Sequence, residues 1–161
     1  MKNYILILIA LLTQNVFSQS KDFDLNLILS VDDELLATNF FDMKLIQNKN
    51  NSDVKCEAMY VPGSLKLDAK CKEEFEDGPL YLVFTYSKYE PSGEKFVREY
   101  KLKLYNSWLA NSYTIFEVFN MDKELNRSRF PSQINKEYIY EYSVPGTTFV
   151  WELPNKKRLA N

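Results

Sequence analysis

Apolar and polar side chains alternate with a period of two along most of the chain. Phe23, Leu25, Leu27, Leu29 and Val31 take every second position of the first such run, and Phe41, Met43 and Leu45 repeat the pattern. Val54, Cys56, Ala58 and Tyr60 interleave with Lys55, Glu57 and Met59, and Leu65, Leu67, Ala69 and Cys71 interleave with Lys66, Asp68 and Lys70. Successive side chains of a strand point to opposite faces. This period therefore predicts strands buried on one face, as in antiparallel sheets.

The middle of the chain carries the strongest signal. Positions 80–89 are rich in aromatic and β-branched residues, and Pro91-Ser92-Gly93 marks a turn. Beyond it, Tyr100, Leu102 and Leu104 share one face while Glu99, Lys101 and Lys103 share the other. The two segments predict a long hairpin. Positions 106–111, with Trp108 and Leu109, read as a short helical turn, 113–119 as a strand, and 138–142 with 147–153 as a final pair around Val144-Pro145-Gly146. About nine short strands, with turn signals roughly every 8–12 residues, predict an all-β antiparallel sandwich of immunoglobulin-like or transthyretin-like form. A closed β-barrel is the alternative. Positions 19–154 read as one domain and 155–161 as a flexible tail.

The N-terminus breaks the pattern. Lys2 precedes an apolar run, Tyr4 to Leu12. A membrane span needs about 20 apolar residues, so this run is too short to cross and matches the apolar centre of a secretory signal. Ser18 supplies a small residue before Gln19, so 1–18 are expected to be cleaved off, leaving a secreted or periplasmic protein. No second long apolar run follows, which predicts no transmembrane segment in the mature chain. Export also gives the two cysteines a role, because a pair in an oxidising compartment is most simply a disulfide. If Val61 to Lys66 form a loop, Tyr60 faces Leu67 and Cys56 faces Cys71, within bridging reach.

Composition narrows the chemistry. The formal charge of −2 becomes −3 when Lys2 leaves with the leader. With no basic stripe, no nucleic-acid partner is predicted. The chain contains no His, which removes Ser–His and Cys–His nucleophile systems and the commonest metal ligand. Gly63, Gly78, Gly93 and Gly146 are isolated from one another and assemble no phosphate cradle. The acidic groups Asp32-Asp33-Glu34 and Glu73-Glu74-Phe75-Glu76-Asp77 fall in predicted turns and lack calcium-loop spacing. No cofactor or metal site is predicted. A pair of carboxylates facing each other across a sugar is the one catalytic scheme the composition leaves open.

Recognition is the remaining reading. Tyr138, Tyr140 and Tyr142 share one strand face, and Tyr is enriched at interfaces. The polar stretch 120–136 is long for a loop, and such loops are often functional. It carries Arg127, Arg129 and Phe130, the last expected to plug the open end of the sandwich. Asn50-Asn51-Ser52 and Asn126-Arg127-Ser128 are glycosylation acceptor patterns. The expected function is a non-enzymatic binding domain for a protein or glycan. The alternatives are a carboxylate-based hydrolase such as a glycosidase, and a small enzyme inhibitor that presents the 61–64 loop.

Overall fold

The computed structural model describes residues 23–49, 53–110 and 113–152. The predicted leader at 1–18, the acceptor pattern at 50–52 and the tail at 155–161 lie outside them. Among the described residues eleven strands build two sheets: β1 (Phe23–Leu25), β2 (Leu27–Val31), β3 (Glu34–Leu35), β4 (Phe40–Gln47), β5 (Val54–Val61), β6 (Ser64–Leu67), β7 (Pro79–Tyr89), β8 (Lys95–Tyr105), β9 (Thr114–Asn120), β10 (Tyr138–Val144) and β11 (Thr147–Glu152). The first sheet runs β1-β6-β5-β4-β7-β8 and the second β11-β10-β9-β2-β3. They face each other as an open sandwich and do not close into a barrel. Two helices, α1 (Ala69–Glu73) and α2 (Glu124–Arg129), and two 3-10 turns interrupt the strands.

The count exceeds nine partly because the first alternating run is two strands. The chain passes from the first sheet to the second at Asn26: β1 pairs with β6, and β2 pairs in parallel with β9. Leu25 and Leu27, on either side of the crossing, are both fully buried. The inner faces of a sandwich look at one another, so a strand that changes sheets keeps its apolar positions turned inward. The periodicity therefore carries no mark of the crossing. Among the described residues the β2–β9 pair is the one parallel contact in an otherwise antiparallel arrangement.

Two registers differ from expectation. The β5–β6 turn is a tight hairpin, with Val61 opposite Ser64 and Tyr60 opposite Leu65, rather than a longer loop. Gly63 adopts φ +91°, the sign that the position after Pro in a type II turn demands. The strand then ends at Leu67, and the Asp68 carboxylate accepts the Lys70 N–H at 2.8 Å to cap α1. That helical turn, and not a continued strand, carries Cys71 back to Cys56, with Cα atoms 5.8 Å apart in a formed disulfide. In β4, a bulge between Phe41 and Lys44, with Asp42 at φ 55°, breaks the alternation. Met43 and Leu45 stay inside, while Phe41 turns outward and is 48 % exposed.

Between the sheets Leu29, Leu45, Leu82, Phe84, Tyr100, Leu102 and Phe116 are completely buried. Tyrosines tie the two layers together. The hydroxyl of Tyr60 accepts the Leu29 N–H at 3.0 Å, and those of Tyr138 and Tyr140 accept the Lys101 and Lys103 N–H groups at 2.9 Å. Each ring fills core volume while its polar end satisfies backbone of the opposite sheet.

The disulfide closes a loop of 15 residues, so the Cys56→Ser/Cys71→Ser double variant should lose about 3 kcal/mol in urea denaturation. A second expectation concerns alkali. Burial pushes the hydroxyls of Tyr60, Tyr86, Tyr100 and Tyr138 above their ordinary value. These phenols ionise more readily unfolded than folded, so their contribution is complete below about pH 10 and declines as pH rises beyond it. Urea midpoints should be level near neutrality and drop above about pH 10, with a shallower drop in Tyr100→Phe.

Candidate recognition surface

The connection from β9 to β10 carries the largest departure from plain sandwich geometry. It begins where Asn120 ends β9, and it contains α2. Glu124 in its first turn and Arg127 and Arg129 in its last complement the helix dipole. Pro131, which lacks an N–H, ends it and opens a 3-10 turn at Pro131–Gln133. A helix of six residues does not hold itself together in water, so side chains must anchor it.

The anchor is Asp32, in the tight turn between β2 and β3. Asp32 and Asp33 hold φ of 54° and 66°, the paired positive values of a type I′ hairpin turn. Only 9 % of the Asp32 side chain is exposed. Its carboxylate accepts the Asn120 N–H at 2.8 Å, the Asn120 side-chain amide at 2.8 Å, the Asn126 side-chain amide at 2.6 Å and the Lys123 ammonium at 2.9 Å. Asn126 also donates to the Asn120 carbonyl at 2.9 Å and is 1 % exposed. The Asn120 side-chain oxygen in turn accepts the Tyr100 hydroxyl at 2.7 Å and Arg98 at 2.6 Å, both from β8 of the other sheet. Arg98 forms a two-pronged pair with Asp122 at 2.9 and 3.1 Å and donates to the Glu137 carbonyl at 3.1 Å. One network thus spans β2, β9, β8 and α2. It also buries the amide of the second acceptor pattern, so Asn126 is no accessible glycosylation site in the folded chain.

On that base the segment presents apolar and cationic side chains to solvent. Leu125 is 64 % and Ile134 52 % exposed. Arg127 is exposed and, with Ile134 and Lys136, lines a groove of about 380 Å³ floored by the Arg98–Asp122 pair. Arg129 leaves the groove for the outer face of the second sheet, where it chelates Asp33 at 2.7 and 3.0 Å and lies 4.8 Å from the Phe119 ring centre. Phe130 packs on Phe119 at 5.0 Å, beside Met121 and Ile139. It therefore covers the outside of the second sheet and does not plug the end of the sandwich.

Of the sequence candidates, Arg127, Arg129 and Phe130 come together in this segment. The tyrosines do not. Tyr138, Tyr140 and Tyr142 are 5, 3 and 6 % exposed and face the interior. Tyr138 meets Tyr100 at 5.0 Å and Tyr142 meets Trp108 at 4.5 Å. Their shared parity was visible in the sequence, but parity alone does not say which face is inside. Asp32, Asn120 and Arg98 were not expected to act as a unit, since no local pattern links positions that far apart.

Members of the two acidic stretches form separate ion pairs. Glu34 pairs with Lys88 at 2.7 Å and Glu76 with Lys49 at 2.8 Å. Gln47 exchanges two 2.9 Å bonds with the Glu76 backbone. A different pair faces directly: Glu117 of β9 and Glu141 of β10 are opposite neighbours on the outer face of the second sheet. Partial burial, with the Glu117 charge beside it, raises the Glu141 carboxyl above its ordinary value. The 61–64 turn is held against β2 by a 2.8 Å bond from the Gly63 N–H to the Leu27 carbonyl and does not project as a free loop. Among the described residues no group of three or more Asp, Glu or Cys side chains is placed to hold a metal ion.

Compared with family models, with curated proteins and with solved structures, the chain finds no match in any of the three.

If Asp32 anchors the segment, Asp32→Ala strands buried donors on Asn120 and Asn126 together with the Lys123 charge. The loss should be about 3 kcal/mol in equilibrium unfolding. Hydrogen exchange at 121–137 should accelerate more than exchange in β4 and β5.

Proposed function

We propose that this chain is an exported, non-enzymatic recognition domain whose β9–β10 connection meets a protein or glycan partner. The observation that carries the reading is the contrast between the two sides of that connection. Its inner side is pinned by buried Asn126 and Asp32, while its outer side holds Leu125, Arg127 and Ile134 in water beside a groove. Binding residues commonly sit on loops fixed by a rigid scaffold, and exposed apolar groups next to an Arg resemble the mixture found in interfaces. Export is supported by the apolar run at Tyr4 to Leu12 and by the Cys56–Cys71 bridge. No helix among the described residues is long and apolar enough to cross a membrane.

A second reading, a carboxylate-based hydrolase, draws on the opposed Glu117 and Glu141. One experiment addresses both. The mature protein and an Arg127→Ala/Ile134→Asp variant are offered to a glycan array and to native secretome, with bound species and cleavage products read by mass spectrometry. The recognition reading expects capture without cleavage and about tenfold weaker capture by the variant, a change equivalent to about 1.4 kcal/mol. Equal capture by both proteins would remove the connection from consideration. Cleavage abolished by Glu141→Gln would replace recognition with hydrolysis.

A further inference from the structure

The long strand β8 is an edge of the first sheet, and its two halves are finished differently. Its register with β7 is unbroken from Pro79–Tyr105 to Tyr89–Lys95, so the residues whose backbone groups turn towards β7 alternate strictly along β8. Its odd-numbered residues turn their N–H and C=O groups to the open side, as the bonds of Lys101 to the Tyr138 hydroxyl show: the N–H donates at 2.9 Å and the C=O accepts at 3.3 Å. Lys103 donates to the Tyr140 hydroxyl in the same way. The second sheet thus closes the downstream half of the edge. Upstream, Val97 and Glu99 have no such cover among the described residues. Val97 is 51 % exposed, and Lys95 and Glu99 are exposed. An open edge with unpaired backbone groups is a template for another strand.

The side chains state which strand fits. The stretch reads Lys95-Phe96-Val97-Arg98-Glu99, and it is complementary to itself when reversed. Antiparallel pairing about a two-fold axis at Val97 sets each Lys95 opposite Glu99 of the second copy, with Val97 against Val97. All of these side chains lie on the solvent face of the sheet. Val97, Lys95 and Glu99 are also the residues whose backbone groups point outwards, so the same register forms the hydrogen bonds. Opposite charges directly across a ladder stabilise pairing, and a two-fold interface requires this reciprocity. The register also limits itself. The next outward pair would need Lys101, whose backbone Tyr138 already holds, and Gly93, which lies in the turn.

We infer that the Lys95–Glu99 edge of β8 is a self-association surface, through which two copies of this chain pair antiparallel about Val97 into one continuous sheet. The edge is short, so the dimer is weak and reversible, and its charged pairs loosen in salt.

Sedimentation equilibrium of the mature protein across a wide concentration range tests this. The expected result is a rise from monomer mass towards twice that mass. Lys95→Glu places carboxylates opposite one another at both ends of the ladder and should weaken association about tenfold. The double exchange Lys95→Glu/Glu99→Lys restores opposite charges and should restore association. Amide exchange at Val97 and Glu99 should slow with concentration while that at Lys101 stays constant. Both substituted positions are on the surface, and thermal melts verify that the variants fold. A protein that stays monomeric throughout overturns the inference. So does a dimer indifferent to Lys95→Glu, or one that the double exchange fails to rescue.

Discussion

The Asp32 carboxylate is the constraint on which the loop end of this sandwich depends. A charged oxygen pair with little access to water is tolerable only when donors surround it, and here β9, α2 and Lys123 supply them. The arrangement works in both directions. The carboxylate needs these groups to remain buried, and a six-residue helix needs the carboxylate to remain a helix. Asn120 then relays the contact to Tyr100 and Arg98, so the geometry of a loop is set by the packing distance between two sheets.

That coupling places two open features side by side. The Arg98 side chain lines the groove in the β9–β10 connection, while its chain neighbours Val97 and Glu99 occupy the edge of β8 that no described residue covers. Pairing about Val97 would bring two grooves close to one axis. Weak binding at each groove would then gain from the other through effective concentration. On the proposed recognition reading, this would let shallow, exposed sites hold a repetitive or multivalent partner.

Much of the architecture was legible in the alternation of side chains. It predicted a two-layered β fold, the β7–β8 hairpin and an inward parity for Cys56. Burial direction and partner choice were legible only in part. Tyr138, Tyr140 and Tyr142 were correctly placed on one face, yet the hydroxyls of Tyr138 and Tyr140 find partners on β8, a contact that no local pattern encodes. The bridge was anticipated between its true partners but through the wrong turn, because the short helix that returns Cys71 has the same side-chain alternation as a strand over so few residues. The Asp32 network was missed outright. Its members are separated by up to 94 positions, and each alone looks like an ordinary turn or cap residue.

The crossing at Asn26 bears on the order in which the molecule can be assembled. The first sheet grows largely from neighbouring hairpins, each complete soon after its second strand exists. The second sheet also has local pairs, β2–β3, β9–β10 and β10–β11, but they form two separate pieces that only the β2–β9 contact joins. Its early member β2 lies between β3, only two residues long, and β9, whose residues follow more than 80 positions later. Contacts that distant carry the largest loop-closure cost and slow the approach to the native state. β2 can therefore take its central place only after β9 exists, so the second sheet is joined late while the hairpins of the first can form early.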